Sequence, residues 1–298
     1  GTEAYTRRAD LQVDSDGLPE PLADAVVVTP HNDPDRLRDD FARYGDRLAC
    51  FILEPVVGGG GIIPSSREYV QTARRLTHRH GTVLILDEVI TGFRFRAGDA
   101  GVLYGVTPDL ATFGKALGGG MPVSAVAGRA DILALVGREG GRRVAFSGGT
   151  YSAHPGAMLA ARTLMTHLIE RESEIYPHLA DLGERVRRTI ETAFADEGIY
   201  ARCTGYGNDA LPGSSLFRVH FPHEPGAELT SPEQVSDPAV CDTVLGEHAL
   251  PIALLLEDVY LPEGHGAVAA AHTRGDVERL ETACRRVARR FRAHLSSS

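Results

Sequence analysis

The chain has 298 residues, 43% of them hydrophobic and 24% charged, proportions that support a packed core in one large domain with an appendage or in two domains sharing a face. Its formal charge of −9 argues against a nucleic-acid phosphate binder and against anchoring on an anionic membrane surface. Cys50, Cys203, Cys241 and Cys284 are scattered with no CxxC pair, which gives no zinc or redox motif and no disulfide scaffold, and favours a reducing, cytoplasmic setting. The N-terminal GTEAYTRRADLQ holds no apolar signal core, and no apolar run approaches the roughly 20 residues that span a bilayer.

Residues 5–32 read as an irregular connection ending in a short strand, Ala25–Val28. Residues 34–44 suit an amphipathic helix with Leu37, Phe41 and Tyr44 on one side. An apolar strand follows at 48–53. Ser65-Ser66-Arg67-Glu68 has capping-box spacing and opens a helix carrying Tyr69, Val70, Ala73 and Leu76. Further short apolar runs lie at 82–86, 110–113, 124–127 and 143–146. Such strands, separated by helices or loops, predict an α/β fold with a mostly parallel sheet and helices on both faces. Residues 155–172 and 175–197 predict two long helices. Beyond them 201–213 and 222–237 are rich in Gly, Pro and Asp. A strand at 215–221, a helix near 237–248 and a last helix at 275–294 then predict a smaller C-terminal α+β unit. The domain boundary is placed between 1–175 and 176–298.

Three segments carry chemistry. In Leu84-Ile85-Leu86-Asp87-Glu88-Val89 a buried strand runs into two carboxylates. Ligands of open parallel sheets bind beyond the carboxyl ends of strands, which puts Asp87 where a cofactor would sit, although a lone Asp there is also an ordinary cap or solvated loop acid. Glu88 reads as structural. In Phe113-Gly114-Lys115-Ala116-Leu117-Gly118-Gly119-Gly120 a lysine follows a short strand and precedes three glycines. The glycines let a bulky planar group approach the backbone, and a lysine among apolar neighbours becomes a usable amine nucleophile; an exposed surface lysine is the plain alternative. A nucleotide P-loop is excluded, because Ala116 stands where Ser or Thr is required. Ser147-Gly148-Gly149-Thr150-Tyr151-Ser152-Ala153-His154-Pro155 is a Gly-rich turn opening a helix. Its hydroxyls and free amides suit a phosphate, or simple capping. His78 and His80 fall on opposite faces of a helix and make no metal pair.

The ordered set LDEVITGFR, YGVTPDL, FGKALGGGMPVSAVAG and GGTYSAHP resembles the class III pyridoxal-phosphate (PLP) aminotransferases. Its GGGMPV version of the lysine motif is most like the glutamate-1-semialdehyde 2,1-aminomutase group. The resemblance is strong over residues 48–172 and looser beyond. It implies PLP fold type I, with Lys115 as the Schiff-base lysine and acid/base. It implies Asp87 as partner of the pyridine nitrogen, Val89 against one ring face, and Thr150 on the cofactor phosphate of a neighbouring subunit in a homodimer with shared active sites. Glu54 of Glu54-Pro55-Val56 matches a position that supports the substrate pocket, with structural support weighed equally. His265 and His272 fall in the family's C-terminal closing region and face either the pocket or the packing around it. Arg94 and Arg96 read as structural or interfacial.

Family members carry an SGTEA-type phosphate turn, a long helix, and a later aromatic-His-Gly turn. Here Gly1-Thr2-Glu3-Ala4 matches the first, making Gly1 and Thr2 candidate cofactor contacts, but Tyr5-Thr6-Arg7-Arg8 follows at once. A sheet lacking those pieces leaves an open edge and an incomplete cofactor cup, so segments are expected to be missing between Ala4 and Tyr5. Three functions follow: amino transfer from an amine or amino acid to a keto or aldehyde acceptor; an intramolecular aminomutase or a racemase on the same scaffold; or a non-catalytic partner subunit lacking a complete cofactor site.

Overall fold

The computed structural model describes residues 25–136, 144 and 149–295. Gly1 and Thr2, the Ala4–Tyr5 junction, and all but Val144 of the strand expected over 143–146 lie outside them. Ala25–Val28 is not a strand. Val26 and Val27 are 51% and 39% exposed, and β-branched sequence without a ladder partner gains nothing from extension. Helix α1 (Pro34–Tyr44) starts where the Asp33 side chain accepts from the Arg36 N–H at 2.8 Å, with Pro34 in the first turn.

Strand β1 (Cys50–Leu53) leads into a short hairpin, β2 (Val56–Val57) and β3 (Ile63–Pro64), bent around Gly58–Gly61. Helix α2 (Arg67–His80) is capped by Ser66, whose hydroxyl accepts from the Tyr69 N–H at 3.2 Å. The expected capping box does not form. The Ser65 hydroxyl donates instead to the Glu54 carbonyl, and Glu68 pairs with Arg38. Gly81 ends the helix in the left-handed conformation, φ 67°. There follow β4 (Val83–Glu88), α3 (Gly101–Tyr104), β5 (Leu110–Phe113), β6 (Ala125–Gly128) and α4 (Ala130–Leu133).

The sheet order is β1-β4-β5-β6, with β1, β4 and β5 parallel. The strand expected at 124–127 is present as β6 but runs antiparallel to β5. Its connection from β5 holds only the single 3-10 turn Lys115–Gly118 and no crossover helix of the kind that usually joins parallel strands. The sheet is therefore mixed and mostly parallel, with helices on both faces; its second face stays partly open at Ile52 and Val126, 55% and 52% exposed. On the first face Leu84 and Leu86 pack with Leu37, Phe41, Val70 and Tyr104. The Tyr104 hydroxyl donates to the carbonyls of Pro55 and Ser65. Asp109 ties the strand starts together. Its Oδ2 accepts from the Leu84 N–H at 2.8 Å and from Arg74, and its Oδ1 accepts from Arg129. Burial alone would raise its pKa, but these donors outweigh that and lower it.

Helices α5 (Pro155–Glu170) and α6 (Glu172–Ala195) leave the sheet. A three-stranded antiparallel sheet, β7 (Arg202–Thr204), β8 (Leu216–His220) and β9 (His265–Ala267), packs with α6 and the last helix of the chain. Between β8 and β9 lie α7 (Pro232–Ser236) and α8 (Leu250–Leu255); α9 spans Arg274–Leu295. The helix expected over 237–248 is displaced. A π turn at Leu245–Ala249 runs into α8 instead. Pro251 has no N–H to donate to a preceding turn, and the wider turn ahead of it absorbs that loss. This second core centres on Ile190, Phe194, Phe221, Leu250 and Val287.

Candidate active site

Strand β4 extends past the expected end at 86 and takes both carboxylates with it. Side chains alternate along a strand, so neighbouring acids go to opposite faces. Glu88 joins Leu84 and Leu86 in the core and is fully buried. It accepts from the Thr91 hydroxyl and from the Ala100 N–H at 2.7 Å, clamping the loop between them. Burial pushes its pKa up to about 7, against the pull of those donors. Its contribution to stability is whole below the ordinary value of 4.5 and is lost as pH rises through about 7. Glu88→Gln, isosteric and neutral, is expected to abolish that slope, which is on the order of 3 kcal/mol. Urea midpoints of both proteins at about pH 5 and about pH 8 measure it; parallel pH dependences would refute the assignment.

Asp87 faces the other way, beside Thr112 on β5. Its Oδ1 accepts from the Thr112 hydroxyl and from the Val89 N–H, each at 3.0 Å. Its Oδ2 has no hydrogen-bond partner among the described residues. Lys115 stands three residues beyond Thr112, within about 10 Å of chain, so neighbouring parallel strands deliver both side chains to one end of the sheet. Lys115 is exposed and has φ 43°, a conformation an L side chain enters at a cost. Val89 lies against the backbone at Gly114: a Cβ there would meet Val89 Cγ1 at 3.4 Å.

A cavity of ≈ 1160 Å³ opens beside this point, lined among others by Gly58, Ile90, Arg94, Lys115, Tyr260 and His265. His265 does line it, next to Gly58; burial and then the Arg218 guanidinium lower its pKa, against a hydrogen bond with the Gly58 backbone. His272 lines it too, with Nδ1 accepting from the Ala269 N–H. Glu54 reaches it only indirectly, its Oε2 accepting from the Gly58 N–H at 3.0 Å. Asp87 and Val89 are not among its lining residues. Thr150 lies away from it, exposed in the turn before α5. Sequence reasoning missed Thr112, a strand neighbour that only register reveals, and the Gly58–Gly61 turn, whose run of glycines was a usable signal.

Among the described residues, an acceptor oxygen left open on Asp87, an amine without an ion pair on Lys115, and a roomy cavity between two packed cores fit a small planar heterocycle with one protonated ring nitrogen and one carbonyl. Residues 27–207 match the family model described as Aminotransferase class-III. The chain belongs to the class III aminotransferases. These are PLP-dependent enzymes, and one solved neighbour, at 25% identity and TM-score 0.78, is described as a transaminase with PLP bound. The chain is 32% identical over 273 residues to a glutamate-1-semialdehyde 2,1-aminomutase of Thermomicrobium roseum, covering 91% of this chain and 59% of that protein. It is 46% identical over 178 residues to the aminomutase of Sulfurihydrogenibium azorense, covering 60% and 40%. An omega-transaminase from Sphaerobacter thermophilus superposes with TM-score 0.81 at 30% identity, over 95% of this chain and 61% of that one. The chain thus spans 40% to 59% of the length of these two curated relatives.

Proposed function

We propose that this class III aminotransferase chain binds PLP at Lys115 and Asp87 and transfers an amino group from an amine or amino acid to a keto or aldehyde acceptor. One observation carries the reading: the parallel pair β4–β5 brings a carboxylate, with one oxygen unbonded among the described residues, and an exposed lysine to the same end of the sheet. When bound, PLP supplies an aldehyde for amines and an electron-withdrawing pyridinium ring. Lys115 holds the cofactor through its amine and then moves a proton at the substrate carbon that bears nitrogen. Asp87 Oδ2 holds the ring-nitrogen proton, while Thr112 keeps the carboxylate in place. Val89 packs on a ring face. His265, and Glu54 through Gly58, shape the substrate pocket.

Thr150 serves the phosphate of a second copy in a homodimer. Its exposure supports this, as do the exposed apolar residues Met158, Leu159 and Ile169 on α5. The division at residues 175 and 176 and a cytoplasmic setting belong to the same reading. No helix among the described residues is long and apolar enough to cross a membrane.

The curated relatives favour a second reading, an intramolecular aminomutase. The holoenzyme mixed with an amino donor alone is expected to lose its near-visible cofactor absorbance once, and to regain it on adding a keto or aldehyde acceptor. Steady turnover of one amino aldehyde without any co-substrate would establish the mutase instead. No spectral response to any amine would overturn both.

A further inference from the structure

We propose that Arg94 is the specificity-determining cation of the substrate pocket, taking a carboxylate of the amino donor or of the acceptor. The proposal rests on the cavity beside Lys115 being the PLP site. Among the described residues, four lysine and arginine side chains line that cavity: Arg94, Lys115, Arg279 and Arg286. Arg279 is paired with Asp276, and Arg286 with Glu257. Lys115 has its own role. Arg94 alone remains, with no side-chain hydrogen bond or ion pair among the described residues. Its Nε is buried without a partner, and burial lowers its pKa. Arg96, on the same turn, is by contrast satisfied by the Asp99 carbonyl and by the carboxylates of Asp99 and Glu172.

A half-buried guanidinium without a counter-ion is unfavourable unless something supplies an anion. The mount of Arg94 is stiff, as a receptor for that anion should be. The Arg94 N–H donates to the Thr91 carbonyl at 3.1 Å, and the Gly92 N–H to the Glu88 carbonyl at 2.9 Å. Phe93 is held at φ 62° against the Phe113 ring, and the Tyr176 hydroxyl donates to its carbonyl. Positive φ at an aromatic residue is strain of the kind that collects at ligand clamps. A fixed, planar, permanently charged fork suits a carboxylate, which it meets through two parallel hydrogen bonds. The substrate class is therefore an amino acid or keto acid rather than a simple amine.

The test uses holoenzyme carrying Arg94→Met or Arg94→Lys. For a carboxylate-bearing amino donor, Arg94→Met is expected to raise KM roughly 10- to 100-fold, the loss of one charge-assisted hydrogen-bonded contact, with kcat nearly unchanged. For a primary amine without a carboxylate both constants stay as they are. Arg94→Lys, which keeps the charge but not the fork, falls between. A readout independent of turnover is thermal unfolding: propionate raises the melting temperature of the unsubstituted protein more than propionamide does, and Arg94→Met erases the difference without lowering the melting temperature itself. Equal damage to both donor classes, a melting temperature that falls in both variants, or weakened PLP retention would overturn the proposal, the last by assigning Arg94 to the cofactor phosphate. Failure of the unsubstituted protein to take up PLP would instead overturn the reading beneath it, and is seen before any Arg94 variant is made.

Discussion

Lys115→Gly is expected to abolish amino-group transfer and, in the same protein, to make the cofactor-free fold slightly more stable. The lysine sits at φ 43° with an exposed side chain. Removing that side chain therefore costs little packing, and glycine relieves backbone strain of about 1 kcal/mol. The greater freedom of glycine in the unfolded chain takes back part of this, leaving a gain of roughly 0.5 kcal/mol. Lys115→Ala is the control. It removes the amine equally but keeps a Cβ at the same positive φ, so it loses activity without the gain. Without the amine there is no anchor for the cofactor and no acid/base at the reacting carbon, and turnover is expected to fall about 10⁴-fold in both. Denaturant midpoints of the cofactor-free proteins and turnover of the PLP-supplemented proteins check the two halves separately. Retained turnover in either variant would refute the role of Lys115, and equal midpoints for the two would refute the strain.

The strained lysine also marks where the sequence was legible. Parallel strands, the long helices around Arg171 and the motif order were readable because hydrophobic runs and Gly, Ser and Pro punctuation are local. Asp87 and Lys115 were singled out because they sit inside such motifs. What failed depended on partners distant in sequence. Ala25–Val28 has strand composition but no neighbouring strand among the described residues. The direction of β6 depends on whether the connection before it holds a crossover helix rather than on residue type within the strand. Ser65 matched a capping box, yet burial set its hydroxyl to the Glu54 carbonyl and moved the cap to Ser66. The split between Asp87 and Glu88 required knowing that β4 continues through them. Arg94 read as a structural arginine like Arg96, and only the pairing of its neighbours distinguishes it.

Asp87→Asn is expected to lower turnover roughly 10²- to 10³-fold, the scale for losing one oriented electrostatic contact at a reacting group, while leaving stability within about 0.5 kcal/mol, as for a half-exposed surface change. The asparagine carbonyl oxygen can replace Oδ1 as acceptor for the Thr112 hydroxyl and the Val89 N–H, so the local geometry has no reason to move. What changes is the atom that was Oδ2. A carboxylate oxygen accepts the proton of a charged ring nitrogen; an amide nitrogen offers hydrogens to it and favours the unprotonated ring, which withdraws electrons poorly. Thr112→Val gives a graded version. It leaves the charge but removes one of the two donors that orient it, so a loss of about 10-fold is expected, the scale of one hydrogen bond to a charged group. The two variants also differ spectroscopically: Asp87→Asn shifts the pH dependence of cofactor absorbance, because the ring proton has lost its anion, whereas Thr112→Val leaves the anion in place. If Asp87→Asn kept full turnover and an unshifted absorbance profile, the carboxylate at the end of β4 would be a loop anchor through Val89 and nothing more, and the ring nitrogen would have to find its partner elsewhere.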